Sequence, residues 1–280
     1  MPVESQVVVR PNRDTLYSSA VFDLDAGPVT VTLPDAGQRY FSMIAIDENQ
    51  YTQGLIFAPG RHSFTRESVG TRYVLLGVRT RLDPTSASDL QQGREPQDRI
   101  QVEQRNGPGR FEIPSWNQSS LKKVRGALQT LAATIPDSRG MFGTSDKVDP
   151  VRHLIGSASA RGGNPEQDAF YENVTPARND GATVYRMVVR DVPFDAFWSI
   201  SVYNAAGNFE RNPQDAYTLN DLTAKRGSDG SIVVQFGGCD GVVANCLPIT
   251  PGWNYMVRLY KPHAEILDGS WRFPEATLAN

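Results

Sequence analysis

Residues 10–19 read RPNRDTLYSS and place a polar motif at the entrance to a strand. The motif combines an amide, a guanidinium and a carboxylate, which belong to Asn12, Arg13 and Asp14. Loops that a rigid scaffold holds often carry binding groups. The alternative is a turn in which Asn12 or Asp14 accepts backbone N–H groups, although turn chemistry accounts for one polar residue better than for three. The motif is therefore the first candidate for a functional site.

Short strands dominate the chain on both sides of its centre. The first predicted set follows the motif at 17–24, 29–33, 40–46 and 73–78. The second set occupies the last hundred residues at 183–190, 197–204, 231–236 and 253–260. Turn residues rich in glycine and proline separate the strands, a pattern typical of sandwiches and barrels.

Helices are predicted in the middle of the chain. Four apolar residues recur at spacings of three and four, so they share one helix face: Leu121, Val124, Leu128 and Leu131. Ser115 or Asn117 can cap the start of this helix. A second helix is predicted at 153–161 and a short one at 88–94, which Pro96 should limit.

These patterns predict a mainly β protein with a few helices, in which two β-sandwich domains are joined by a helical segment. The expected boundaries are an N-terminal domain at 1–108, a helical connector at 109–165 and a C-terminal domain at 166–280. A turn-rich stretch, NGPG at 106–109, marks the first boundary.

Composition argues against two classes of partner. The chain has 280 residues and a net charge of −3, so it offers no basic stripe for nucleic acid. No apolar run approaches the ~20 residues that span a bilayer. Residues 1–9 lack the regions of an intact signal peptide, so we expect either a cytoplasmic protein or a mature form.

The two cysteines, Cys239 and Cys246, lie in a glycine-rich loop that can bring them together as a disulfide. Two free thiols are the alternative. A metal site would need further cysteine or histidine nearby, and the loop has none.

No catalytic motif in the sequence indicates a reaction class. The chain has no G-x-S-x-G elbow, no H-E-x-x-H spacing and no phosphate loop, so we expect no metal and no cofactor. His153, beside a predicted helix start, is the best general acid or base, with Asp14 and Tyr17 as further catalytic candidates. A structural hydrogen bond at a helix end is the alternative for His153.

Binding groups are predicted on the C-terminal strands. Alternation along 197–204 places Trp198 on one face, and Ser199, Ser201 and Tyr203 on the other. Arg258, on the strand at 253–260, can hold a carboxylate or stack on a ring, and a surface ion pair is the alternative. The predicted substrate-binding set is Asn12, Arg13, Trp198, Tyr203, Asn204, Arg258 and Trp271.

The motif at 8–18, VVRPNRDTLYS, resembles domain-of-unknown-function family 1254. The segments YNAAGNF at 203–209, RLY at 258–260 and EILDGSW at 265–271 resemble family 1214. These families occur fused in this order in bacterial proteins, and the resemblance implies jelly-roll-like sandwiches for both domains. Many relatives are exported, which would suit a Cys239–Cys246 disulfide, so the resemblance implies a periplasmic or secreted protein, with a cytoplasmic one as the alternative. Relatives are often labelled carboxylic ester hydrolases.

We therefore expect an enzyme, with hydrolysis as one reaction class, that acts on a small organic or carbohydrate-like substrate in an inter-domain cleft. A non-catalytic module that binds a glycan, lipid or polyketide-like ligand is the second hypothesis. The third is a structural, homo-oligomeric β-protein whose polar motifs cap turns.

Overall fold

A computed structural model describes residues 3–6 and 8–279 of the chain. Strands hold 31% of the residues and helices 17%, which confirms the mainly β fold with a few helices. The chain forms two compact units. The N-terminal unit comprises Thr15–Thr134 and Arg139–Pro165, and the C-terminal unit comprises Met1–Asp14, Ile135–Ser138 and Glu166–Asn280. The sequence domains at 1–108 and 166–280 stay predictions, because packing rather than sequence similarity defines these units.

The N-terminal unit contains two antiparallel sheets. Its strands are β1 (Thr15–Asp23), β2 (Val29–Leu33), β3 (Phe41–Asp47), β4 (Thr52–Ile56), β5 (Gly60–Phe64), β6 (Tyr73–Arg81) and β7 (Gln101–Glu103). One sheet has the order β1-β6-β3-β4 and the other β5-β2-β7. Alternating apolar residues of β2, β3 and β6 form the buried core: Val29, Val31, Leu33, Phe41, Met43, Val74, Leu76 and Val78. The unit is thus sandwich-like.

Four helices belong to the same unit: α1 (Arg66–Val69), α2 (Ala87–Asp98), α3 (Gln118–Ala132) and α4 (Pro150–Ser159). The prediction that Pro96 limits the helix at 88–94 was wrong, because α2 continues past this proline to Asp98. Proline removes one backbone donor and crowds the carbonyl four residues earlier, but its φ is helical, and α2 ends two residues after it. The predicted cap of α3 is Asn117, whose Oδ1 accepts the N–H of Ser120 at 2.9 Å.

The C-terminal unit has a second pair of sheets. Its strands are β8 (Ala169–Val174), β9 (Tyr185–Val189), β10 (Phe194–Tyr203), β11 (Thr218–Asn220), β12 (Ile232–Phe236), β13 (Cys246–Leu247), β14 (Asn254–Pro262) and β15 (Thr277–Leu278), with a short helix α5 (Ala264–Leu267). The sheet orders are β11-β10-β14-β8 and β13-β12-β9-β15. One face of β10 and β14 joins the core with residues of β9 and β12: Trp198, Ile200, Val202, Tyr255, Val257, Leu259, Met187, Val189, Val234 and Phe236.

The expected disulfide between Cys239 and Cys246 is present, with the two α-carbons 5.6 Å apart. It ties the loop that follows β12 to the start of β13. Within the described residues, no helix is both long enough and apolar enough to cross a membrane.

A carboxylate at the end of β1 orders the loops beside it. Asp23 accepts hydrogen bonds from the Arg72 guanidinium at 2.9 Å and from the backbone N–H of Arg110 at 3.0 Å. These hydrogen bonds, that from Arg72 first, hold the pKa of Asp23 well below its ordinary value. A carboxyl whose pKa is depressed by folding stabilises the fold above its unfolded pKa, and this contribution is lost as the pH falls.

We expect Asp23→Asn to lower the free energy of unfolding at pH 7. The difference in this free energy between the variant and the wild type, called the gap below, should shrink below about pH 4, where the carboxyl of the unfolded chain takes up a proton. Urea unfolding at pH 7 and pH 3 measures the gap. Asp98→Asn, an exposed carboxylate at the end of α2, is the control. A gap for Asp23→Asn that is the same at both pH values contradicts the assignment.

Candidate functional site

A row of polar side chains crosses one face of the sheet β11-β10-β14-β8. Ser199 on β10 lies opposite Asn220 on β11 and Arg258 on β14, and Arg258 lies opposite Tyr171 on β8. Strand alternation sets this row, because the same alternation sends Trp198 to the apolar core. Ser199, Asn220 and Arg258 are all buried. The face that the sequence predicted as mixed and hydroxylic is therefore an enclosed polar layer.

Arg258 is the charged centre of this layer. Its Nη1 donates to the Ser201 hydroxyl at 2.9 Å, and its Nη2 donates to the Tyr203 hydroxyl at 2.7 Å and to the Arg10 carbonyl at 3.0 Å. Burial alone would lower the pKa of Arg258, but the phenols of Tyr203 and Tyr260 and the Asp14 carboxylate raise it above its ordinary value. The guanidinium thus stays charged and binds groups of the protein itself.

The polar motif of residues 10–14 docks onto this layer. The backbone N–H of Arg10 donates to the Gly207 carbonyl at 2.7 Å, and the Tyr203 hydroxyl donates to the Pro11 carbonyl at 2.7 Å. Asn12 donates through its side-chain amide to the Tyr260 hydroxyl at 2.9 Å. Partners on three separate segments of the C-terminal unit therefore bind three consecutive residues of the motif.

The turn that receives Arg10 depends on Asn204 and Gly207. The Asn204 side-chain oxygen accepts the N–H groups of Ala206 and Asn208, each at 3.0 Å, so Asn204 shapes the turn. Gly207 has φ +79°, and a Cβ there would lie 2.6 Å from Val9 Cγ1. Only glycine allows both this conformation and the close approach.

Asp14 is fully buried at the end of the motif. Its Oδ1 accepts a hydrogen bond from the Asn220 amide at 2.9 Å, and its backbone N–H donates to the Asn12 side chain at 2.8 Å. Neither Asp14 Oδ2 nor the Ser199 hydroxyl has a hydrogen-bond partner in the part of the chain that is described. Asp14 thus anchors the motif and places a negative charge close enough to Arg258 to raise its pKa.

Arg13 differs from its neighbours because its side chain makes no hydrogen bond to the buried layer. Its guanidinium carbon lies 4.8 Å from the centre of the Tyr217 ring, a cation–π contact. Within residues 3–6 and 8–279, no hydrogen bond or ion pair involves its guanidinium. Arg13 lines a depression of about 320 Å³ whose other lining residues are Val3, Glu4, Arg211, Asn212, Asp215 and Tyr217.

The other charged groups of this depression are better satisfied. Arg211 forms an ion pair with Glu4. Burial, followed by the hydrogen bond with Asp215, raises the pKa of Tyr217 above its ordinary value, so Tyr217 is a neutral phenol at physiological pH. Arg13 is therefore the cation of the depression whose guanidinium has neither a hydrogen bond nor an ion pair within the described residues, whereas Arg211 is paired with Glu4.

The predicted aromatic platforms lie elsewhere. Trp198 is 1% exposed in the apolar core, where the centre of its ring lies 5.6 Å from the centre of the Phe273 ring. The ring centre of Trp271 lies 5.9 Å from that of Phe273, and Trp271 packs against the same core. Tyr203 is buried and stacks on Phe209 at 4.9 Å. These rings do not line the depression, so stacking on a ligand stays a prediction without a site.

Tyr17 and His153 belong to the N-terminal unit, whereas Asp14 belongs to the C-terminal unit. Tyr17 is half exposed on β1. His153 is buried in α4 with its Nδ1 2.9 Å from the Met141 carbonyl and its Nε2 3.0 Å from the Asn49 carbonyl. Because both ring nitrogens are engaged, the geometry favours the structural alternative for this histidine.

Sequence reasoning missed three residues of the site: Tyr217, Asn220 and Tyr260. Tyr260 was within reach, because alternation along β14 places it on the face of Arg258. Asn220 lies in a strand of three residues, which is too short for a recognisable period. No sequence pattern connects Tyr217 with Arg13.

We expect Arg258→Met to lower the free energy of unfolding by about 3 kcal/mol or more, because it leaves buried hydroxyl and carbonyl acceptors without their donor. Tyr203→Phe, which removes one hydroxyl, should cost about 1 kcal/mol. Urea unfolding checks both values. Arg190→Met, at an exposed pair with Asp229, is the control and should change stability little. A smaller loss for Arg258→Met than for Tyr203→Phe contradicts the central role of Arg258.

Comparison with known families agrees with the motifs. Residues 1–94 match the family described as Protein of unknown function (DUF1254), and residues 170–264 match Protein of unknown function (DUF1214). The families follow one another in the predicted order. No match is found among curated proteins.

Two crystal structures share the fold. The VPA0106 protein from Vibrio parahaemolyticus is 18% identical, with a TM-score of 0.77 over 97% of this chain and 90% of that chain. An uncharacterized protein from Burkholderia cenocepacia is 15% identical, with a TM-score of 0.60 over 97% of this chain and 78% of that chain. At these identities the likeness shows the fold alone.

Proposed function

The chain belongs to the proteins that join a DUF1254 region to a DUF1214 region, and we propose that it binds a small anionic organic molecule in the depression around Arg13. One observation carries the proposal. The Arg13 guanidinium faces the depression over the Tyr217 ring, with no hydrogen bond or ion pair from the described residues. A planar cation with five unfilled donors suits a carboxylate or phosphate group.

Preorganisation supports this function. The two neighbours of Arg13 are fixed, Asn12 by Tyr260 and Asp14 by Asn220. The backbone of Arg13 therefore has little freedom before a ligand arrives. Rigid positioning lowers the entropy that binding would otherwise cost. The buried residues of the motif thus act as positioning residues, and Arg13 acts as the contact residue.

The size and charge of the depression narrow the ligand class. A volume of about 320 Å³ lies near the lower end of the range for small-molecule sites. The carboxylates of Glu4 and Asp215 at its rim disfavour a ligand with several negative charges and favour one that also offers hydroxyl donors. A hydroxy acid or a sugar acid combines one negative charge with hydroxyl donors. Within the expected carbohydrate-like class, we therefore favour these acids as ligands.

Hydrolysis of such a ligand is a further hypothesis. The chain lacks a G-x-S-x-G elbow, and Asp14, one of the catalytic candidates, is fully buried. Binding is therefore the function that these residues favour. The Cys239–Cys246 disulfide favours an oxidising compartment such as the periplasm as the place where binding occurs.

We expect Arg13→Gln to weaken the binding of gluconate and glucuronate tenfold or more, because charge-assisted hydrogen bonds are lost. Isothermal titration calorimetry measures this, with glucose as the neutral comparison. The affinity of Arg13→Lys for these acids should lie between those of the wild type and Arg13→Gln. Lysine keeps the positive charge but loses the paired N–H donors of the guanidinium.

Arg190→Gln is the matched control, because Arg190 is an exposed arginine of the same unit that already pairs with Asp229. It should bind the acids as the wild type does. The proposal fails if the wild type binds neither acid, or if Arg13→Gln binds both with unchanged affinity.

A further inference from the structure

The helix α3 exposes the face that its sequence makes apolar. None of its residues is buried. Leu121, Val124 and Leu131 are 46%, 56% and 50% exposed, respectively, although their spacing places them on one stripe. An amphipathic helix normally buries this stripe against a core. The stripe of α3 is instead available to another partner.

Leu128, the fourth residue of the stripe, is half-buried, and the apolar surface extends beyond the stripe. Trp116, one residue before the cap of α3, is 61% exposed. The neighbouring helix α4 contacts α3 through Arg125, whose Nε donates to the Ala158 carbonyl at 3.3 Å. On α4, Val151 and Leu154 are also exposed, by 66% and 56%. Single exposed apolar residues are normal, but a group of this kind marks an interaction site.

The charge of α3 is opposite to that of the whole chain. Lys122, Lys123 and Arg125 lie within it, and residues 113–134 contain no aspartate or glutamate. The chain as a whole carries a net charge of −3. At about 100° per residue, Lys122 and Lys123 lie about 140° and about 120° from the middle of the apolar stripe, on the opposite, polar face of α3. Neither lysine forms an ion pair within the described part of the chain.

We propose that α3 is a docking surface for an anionic lipid bilayer. An apolar stripe opposite a polar face that carries lysines, with a tryptophan at the helix start, matches an interfacial helix that lies in the plane of the membrane. The lysines would contact anionic headgroups, and Leu121, Val124 and Trp116 would enter the boundary between headgroups and acyl chains. With 15 residues, α3 is too short to span the bilayer.

Charge distinguishes a lipid surface from a second copy of the chain. A two-fold contact through the apolar stripe would cover Leu121, Val124 and Leu131 but leave Lys122 and Lys123 on the outward face without partners. An anionic lipid surface satisfies the same cations. The surface of α3 lies in the N-terminal unit, whereas the Arg13 depression lies in the C-terminal unit. The failure of one proposal therefore does not affect the other.

Co-sedimentation with vesicles tests the proposal. The full chain should bind vesicles of phosphatidylcholine and phosphatidylglycerol at 3:1, and should bind pure phosphatidylcholine at least tenfold more weakly. Raising the salt from 50 to 500 mM should weaken binding to the anionic vesicles, because salt screens exposed charges.

The charge variant K122E/K123E should reduce the partition onto anionic vesicles at least tenfold. The control K225E/R226E changes the net charge by the same amount at two adjacent exposed residues of the other unit. It should bind nearly as the wild type does. An equal loss in both variants would show that net charge, rather than α3, governs binding, and would overturn the proposal.

The apolar variant L121Q/V124Q should lose binding while keeping the circular dichroism and melting temperature of the wild type, since both side chains are exposed. V233Q/V242Q, at two exposed valines of the C-terminal unit, is its control and should retain binding. The proposal is overturned if the wild type does not sediment with the anionic vesicles. It is also overturned if light scattering shows that the wild type is a dimer and that L121Q/V124Q is a monomer.

Discussion

A single buried cation, the guanidinium of Arg258, organises the C-terminal unit. A charge that is 3% exposed is costly unless hydrogen bonds surround it. Strand β10 supplies two hydroxyl groups, from Ser201 and Tyr203, and the remaining acceptors are the carbonyls of Arg10 and Pro11. The need to satisfy Arg258 therefore explains why residues 10–14 belong to the C-terminal unit.

The same constraint explains the composition of the motif at 10–14. Asn12 and Asp14 have buried partners, Tyr260 and Asn220, and both hold the backbone in place. Arg13 lies between them and turns toward the depression. Three polar residues in a row, which a simple turn does not require, thus divide into two that anchor the motif and one, Arg13, that we propose as the ligand contact.

Local sequence patterns predicted much of the fold and less of the site. Period-two alternation identified β2 and the two faces of β10, and the spacing from Leu121 identified α3. The partners of Arg258 were beyond such patterns, because its bond to the Arg10 carbonyl joins residues 248 positions apart. Periodicity also gives the apolar face of α3 without saying what covers it, since tertiary packing decides that.

Hydrogen exchange at the Arg10 amide tests the central claim most directly. This amide donates to the Gly207 carbonyl at 2.7 Å, at a position in the chain where termini normally fray. If Arg258 holds residues 10–14 in the C-terminal unit, the Arg10 amide exchanges as slowly as the amides of β14. Exchange at the rate of an unstructured terminus would contradict the account.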